Sequence, residues 1–188
     1  QNLRRLLRPR HVALFGGDDV ATVITECRRI GYSGALWPVN PNRKDIADIP
    51  CFADIEALPD APDATFLAVP KQAAIDITAK LARRGAGGVV CYTAGFSELG
   101  SAGQKAEAEL VNVAGEMALL GPNCYGLINY HDQIALWPFA HGGSHPGFGA
   151  AIITQSGMLS SDLTMSQRHL PLSYMVSIGN QASLRLED

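Results

Sequence analysis

Five stretches of the chain put glycine, asparagine, threonine or a base where backbone groups and short polar side chains can hold an anionic ligand. They are Phe15-Gly16-Gly17-Asp18, Val39-Asn40-Pro41-Asn42-Arg43, Val69-Pro70-Lys71, Thr93-Ala94-Gly95-Phe96-Ser97-Glu98 and Gly121-Pro122-Asn123-Cys124. Each follows a short aliphatic run, so each reads as the carboxyl end of a strand. Ligands of doubly wound sheets sit beyond those ends. Glycine and proline end strands in any protein, but this many ends of one composition in succession point to a ligand. A dinucleotide site wants G-x-G-x-x-G at the first turn and an acid about 20 residues on. Here Gly16-Gly17 runs into Asp18 and Asp19, and the second strand end carries Arg43 and Lys44 instead of an acid. Bases at that place suit a phosphorylated ribose, as in NADP or the 3'-phospho-ADP of coenzyme A.

Other chemistries find less support. His141 and His145 are four residues apart, yet Gly142, Gly143 and Pro146 forbid the helix that would align them on a metal. His11 precedes a strand and His169 follows a helix, and both are expected at the surface. Cys124 is expected to be a small buried residue rather than a reactive thiol. Gln155-Ser156-Gly157 is not a nucleophile elbow, because Thr154 and Met158 stand where that motif needs glycine. The helix starting at Ser156 or Gly157 does present backbone N–H groups without intrahelical partners, and a glycine there would let an anion come close. An anion site is one reading, and a simple N-cap role for Ser156 is the other.

The elements that must position these residues alternate. Strands are predicted over 12–15, 35–39, 65–69, 89–92 and 117–120. Between them a helix places Val20, Val23, Ile24, Cys27 and Ile30 at steps of three and four and stops at Gly31. Another, over 72–84, turns Ala74, Ile77 and Leu81 inward, and a third carries Ala106, Leu110 and Val113. Strand–helix alternation of this kind signals right-handed βαβ units on a parallel sheet. Residues 137–148 have no period and are rich in turn formers, which marks a boundary between a domain at 1–136 and a second at 149–188. The second opens with a strand over 150–154, a helix with Met158, Leu159, Leu163 and Met165 inward, and a strand over 174–178. One βαβ unit does not complete a sheet, so the second domain is expected to be cut off, and Gln1 in place of Met fits a trimmed chain.

Composition narrows the class. The chain has 188 residues, 47% hydrophobic and 18% charged, with no apolar run near the ~18 residues of a membrane span. The first ten residues hold four arginines and no acid, which leaves 11 basic against 18 acidic residues in the rest, a net of −7. That body excludes non-specific binding of nucleic acid. Cys27, Cys51, Cys91 and Cys124 show no C-x-x-C spacing, so reduced thiols in a cytoplasmic protein are expected.

The motifs Phe15-Gly16-Gly17, Trp37-Pro38-Val39-Asn40-Pro41, Leu58-Pro59 with Ala61-Pro62-Asp63, Ala68-Val69-Pro70, Thr93 to Glu98, Gly121-Pro122-Asn123-Cys124-Tyr125-Gly126, Thr154-Gln155-Ser156-Gly157 and Gly179-Asn180 stand in the order found in ADP-forming acyl-CoA synthetases. From about residue 8 onward the chain resembles that family, which includes acetate-CoA ligases and is similar to the α subunit of succinyl-CoA synthetase. The resemblance implies a Rossmann-like CoA-binding domain followed by the start of a flavodoxin-like α/β domain. It implies a reaction in which a carboxylic acid is activated as an acyl phosphate, with a histidine carrying the phosphoryl group to and from an ATP-grasp part that binds ATP and Mg2+. That part is expected as a separate subunit or a further domain, and homo-oligomers are expected. Carried over by position, coenzyme A contacts are implied at Gly16, Gly17, Asp18, Asn40, Pro41, Arg43, Val69, Pro70, Tyr92, Thr93, Ala94 and Asn123. Ser156 and Gly157 are implied to face the phosphoryl group.

Two departures stand out. The first loop is shorter than the family's and holds two aspartates, and the phosphorylated histidine is expected beyond Asp188, so the chain alone is expected to be inactive. A stand-alone CoA- or NADP-binding regulatory module is the alternative; it would end near residue 130 and would have no use for Gln155-Ser156-Gly157. An NADP oxidoreductase would need a catalytic constellation that the sequence lacks.

Overall fold

A computed structural model of the chain describes residues 2–144, 147–166 and 170–188. His145 and His169 lie outside the described residues. The elements run α1 (Asn2–Leu7), β1 (His11–Phe15), α2 (Asp18–Arg29), β2 (Ala35–Val39), β3 (Asp45–Ile46), β4 (Ile49–Pro50), β5 (Ala64–Leu67), α3 (Lys71–Arg84), β6 (Gly88–Cys91), a 3-10 turn (Ser97–Leu99), α4 (Ser101–Ala114), β7 (Ala118–Leu120), β8 (Gly126–Asn129), β9 (Ile134–Leu136), β10 (Ala150–Thr154), α5 (Gly157–Thr164) and β11 (Leu172–Ser177).

Five parallel strands form the main sheet in the order β2-β1-β5-β6-β7. The chain leaves β1 to one side for β2 and later returns to its other side for β5. This reversal opens a crevice at the strand ends between β1 and β5, where an α/β sheet binds ligands. Period-two alternation sorts the core into two layers. Ala13 and Phe15 of β1 pack with Leu67, Val89, Cys91 and Leu119 against Ala74 and Leu81 of α3 and Leu110 of α4. Val12 and Leu14 turn the other way, with Phe66 and Val90, toward Val20, Val23, Ile24 and Cys27 of α2. The helical spacing read in 20–30 is therefore the packing face of α2, and all five of its apolar residues are buried.

That second layer contains more than helix. β8 and β9 form an antiparallel hairpin, and Leu127, Ile128, Ile134 and Leu136 join the α2 side of the core. The same hairpin belongs to a second sheet of order β10-β11-β8-β9, in which β10 and β11 are parallel and β11 pairs antiparallel with β8. The segment read as a boundary, 137–148, thus connects strands of one sheet, and the side chains buried in it include Trp137 and His141.

The arginine-rich start, for which no element was predicted, forms α1, whose Leu6 is 1% exposed in the core; Arg5 and Arg10 pair with Asp63, and Arg8 with Asp132, each at 2.8 Å. Burial alone would push the Asp63 carboxyl up, but hydrogen bonds from Arg10 and Arg5 hold it well below the usual carboxylate range. Two readings are corrected. His11 is not at the surface; its ring stacks on Trp37 at 4.7 Å and its Nδ1 accepts the Asp63 backbone N–H. The inward face of α5 is also different from that expected. Met158, Leu159 and Met165 are exposed, while Ser160 and Thr164 are buried. Their hydroxyls donate to the Gly157 and Ser161 carbonyls at 2.7 Å, so the polar face is satisfied without solvent.

No helix among the described residues is long and apolar enough to cross a membrane.

Candidate ligand site at the strand ends

The carboxyl ends of β1, β5, β6 and β7 surround a cleft of about 430 Å³. Its walls are residues 68–70 from the β5 end and 92–94 from the β6 end, with Asp19, Asn123 and Tyr125 at its margins. Of the residues expected to hold the ligand, Val69, Pro70, Tyr92, Thr93, Ala94 and Asn123 come together here. The loops are cross-tied beneath it. Thr93 Oγ1 donates to the Val69 carbonyl at 2.7 Å, and the Asn123 N–H donates to the Thr93 carbonyl at 3.0 Å. The Thr93 hydroxyl proton is therefore committed to the scaffold. Its oxygen keeps acceptor capacity.

A second group, Gly16, Gly17, Asp18, Asn40, Pro41 and Arg43, gathers at the outer end, where β1 and β2 finish side by side. Asn40 Nδ2 donates to the Gly16 carbonyl at 2.8 Å and its Oδ1 accepts the Asn42 N–H at 2.9 Å. Gly16 is required by close approach: a Cβ there would stand 2.8 Å from the Ala68 carbonyl oxygen. Arg43 lies over Gly17 and donates from Nη2 to Asp18 Oδ1 at 2.9 Å. The aspartate that departs from the family pattern is thus the counter-ion of the base expected to meet a phosphate. Both are open to water, Arg43 with 43% and Asp18 with 93% of the side chain exposed, so this pair is weak and a phosphate can take its place.

A polar network missed in the sequence supports the β6 loop. Glu98 Oε1 accepts the N–H groups of Gly95 and Phe96, and the Asn180 amide donates to Glu98 Oε2 at 2.7 Å, Glu107 Oε2 at 2.8 Å and Ser97 Oγ at 3.1 Å. Burial pushes the Glu98 carboxyl up, but Asn180 and these backbone donors outweigh it and hold the pKa below the ordinary value. The sequence shows the parts of this network, Thr93 to Glu98 and Gly179-Asn180, but not that they meet.

Tyr125 was likewise not expected at the site. Its ring faces the cleft on one side and the start of α5 on the other, where a Cβ on Gly157 would stand 2.8 Å from it. The open side of Gly157 is thus filled by an aromatic ring. Ser156 is the N-cap of α5, with Oγ accepting the Leu159 N–H at 3.3 Å. Cys124 is buried beside Cys91, and burial drives its thiol well above the ordinary range. All four cysteines are free.

Residues 12–130, which run from β1 past the last of these strand ends, match the family described as CoA binding domain. The chain belongs to the CoA-binding domain family. Over its whole length it is 37% identical to the trans-feruloyl-CoA synthase FCS1 of an unknown prokaryotic organism, and over 99% of its length it is 33% identical to acetate–CoA ligase [ADP-forming] I of Archaeoglobus fulgidus. It spans 28% of each of these relatives. Its fold matches the apo dinucleotide-forming acetyl-coenzyme A synthetase 1 of Ca. Korarchaeum cryptofilum with a TM-score of 0.87 at 26% identity, covering 97% of this chain and 41% of that one. This CoA-binding domain is therefore Rossmann-like and of the kind found in ADP-forming acyl-CoA synthetases. The match also disfavours the stand-alone module, since the likeness continues through 149–188.

Proposed function

We propose that the chain is the coenzyme A-holding part of an enzyme that joins a carboxylic acid to coenzyme A through an acyl phosphate, with ATP and Mg2+ bound in an ATP-grasp part outside these residues. The observation that carries this reading is the cleft at the β1/β5 crevice, lined by residues 68–70 and 92–94, with Arg43 standing outside it beyond the neighbouring end of β2. A cleft walled by residues such as Ala68, Val69, Pro70, Thr93 and Ala94 suits a pantetheine arm, and a guanidinium beside two strand-end loops suits a phosphate. Arg43 holds the 3'-phosphate in this reading. Asn40 positions the loop under it through Gly16, and Gly17 leaves room for the guanidinium.

Residues 149–188 begin the flavodoxin-like unit. There the Ser156 hydroxyl, already accepting the Leu159 N–H, has its own hydrogen left to donate to a phosphoryl group. The names of the relatives span acetate and an aromatic acid. Free thiols fit a cytoplasmic location.

Calorimetric titration of the chain with coenzyme A, dephospho-CoA and NADP tests the reading. Coenzyme A should bind tightest and dephospho-CoA roughly ten- to a hundredfold weaker, the loss of a charge-assisted hydrogen bond. NADP binding tighter than coenzyme A would overturn it. The chain alone should release no ADP when given ATP, coenzyme A, Mg2+ and short carboxylates.

A further inference from the structure

Aromatic rings stand on the β6 and β7 side of the cleft, and Arg43 stands at the β2 edge of the same sheet. Tyr92 follows β6, Tyr125 follows β7, and Phe139 comes from the segment after β9. The Tyr125 and Phe139 centroids are 4.5 Å apart, and Tyr92 lies 6.4 Å from Tyr125 and 6.3 Å from Phe139, at interplanar angles between 53° and 78°. Tyr92 and Tyr125 line the cleft, Phe139 packs on both, and all three are only half-buried. Fully buried rings brace them: Trp137 meets Tyr125 edge-on at 5.6 Å and Phe66 stacks on Tyr92 at 5.9 Å. Neither tyrosine hydroxyl has a hydrogen-bond partner among the described residues. The cluster is thus a rigid, partly open aromatic surface with two free phenol groups.

Its place relative to Arg43 gives it a meaning. β2 and β7 are the two edges of the main sheet, four inter-strand steps or about 19 Å apart. A ligand anchored by its ribose phosphate at the β2 end and laid along the strand ends brings its far end to the rings. In coenzyme A that far end is the thiol, the atom that carries the acyl group.

We propose that Tyr92, Tyr125 and Phe139 form the acyl pocket and that the substrate class is an arene-bearing carboxylic acid; this rests on the coenzyme A reading above. Rings at these mutual angles offer both faces and edges, so an incoming arene completes edge-to-face and offset contacts that an alkyl chain cannot make. The free phenol hydroxyls can bond to oxygen substituents on that arene. An acetyl group is too small to reach more than one ring.

The test is calorimetric titration of the 188-residue chain with coenzyme A, acetyl-CoA, hexanoyl-CoA, benzoyl-CoA and cinnamoyl-CoA. The two aryl thioesters should bind roughly tenfold tighter than acetyl-CoA and tighter than hexanoyl-CoA. The aryl-to-acetyl affinity ratio should collapse in Phe139→Leu and persist in Tyr125→Phe, which keeps the ring. Circular dichroism melts of both variants show that they are folded. Equal binding of hexanoyl-CoA and the aryl thioesters would overturn the aromatic preference, and equal binding of all thioesters and coenzyme A would remove the acyl pocket while leaving the coenzyme A site in place. If coenzyme A itself does not bind, the underlying reading fails and the acyl pocket with it.

Discussion

The ring of Tyr125 occupies the space that a side chain on Gly157 would need, with Cδ1 and Cε1 both 2.8 Å from an ideal Cβ. The start of α5 is thereby docked on the residue that borders the strand-end cleft. Gly157→Ala should destabilise the chain by about 1–3 kcal/mol through overpacking. Combining it with Tyr125→Ala should cost less than the sum of the two single changes, because the clash is then gone. Thermal melts of the three variants check this; an unchanged melting temperature in Gly157→Ala would mean that the ring swings aside freely.

Arg43 and Asp18 make opposite predictions for one ligand. Arg43→Ala should weaken coenzyme A binding roughly ten- to a hundredfold. Asp18→Asn removes the counter-ion and one like charge from the phosphate's surroundings, so it should tighten binding, with an effect that shrinks as salt is raised. Stability should change by less than about 1 kcal/mol in both, since the pair is exposed. Titrations at two ionic strengths distinguish this from a purely structural ion pair, which would leave affinity unchanged in Asp18→Asn.

Asn180 joins the 179–181 turn to the β6 loop by way of Glu98 and Glu107. Asn180→Ala should cost about 1–2 kcal/mol, because two carboxylates lose a shared donor. The folded-state pKa of Glu98 lies below its ordinary 4.5, so its contribution to stability is present above that pH and is lost as pH falls through the lower folded value. Without the Asn180 donor the depression shrinks, and the acid-limb loss of stability should be smaller in the variant. Denaturant unfolding between pH 3 and 7 measures it.

His141 is buried with its Nε2 3.3 Å from Glu26 Oε2, next to the Arg29 guanidinium and the Tyr130 ring. Burial first and Arg29 second lower its pKa from 6.5 to about 3. The folded chain therefore keeps this ring neutral while the unfolded chain protonates it, so stability falls as pH drops from about 6.5 toward about 3. His141→Gln should lose some stability at pH 7 but show a flatter profile over that window. Parallel profiles for both proteins would show that another group sets the slope.

Local amphipathy made much of the fold legible. Val20, Val23, Ile24, Cys27 and Ile30 bury one face of α2 as their spacing requires, and the main-sheet strands lie within two residues of their expected positions. The strand ends that carry Val69, Pro70, Thr93 and Asn123 were legible for the same reason, since glycine and proline must stand where strands stop. β8 and β9 left no signal because both of their faces are buried, which erases alternation. α1 was hidden by its length, since six residues form a helix only when something like Leu6 in the core holds them.

The sequence by itself determined a parallel α/β sheet whose strand ends carry glycine, proline and short polar residues, with bases after the second. The tertiary structure decided which residues share one place there. Arg43 meets Asp18, Tyr125 fills the space beside Gly157, and Asn180 reaches Glu98 across 82 positions of chain. Periodicity records only which side of its own element a residue occupies. These contacts depend instead on the order β2-β1-β5-β6-β7 and on how the second sheet packs beside it, which is set by burying the two core layers at once.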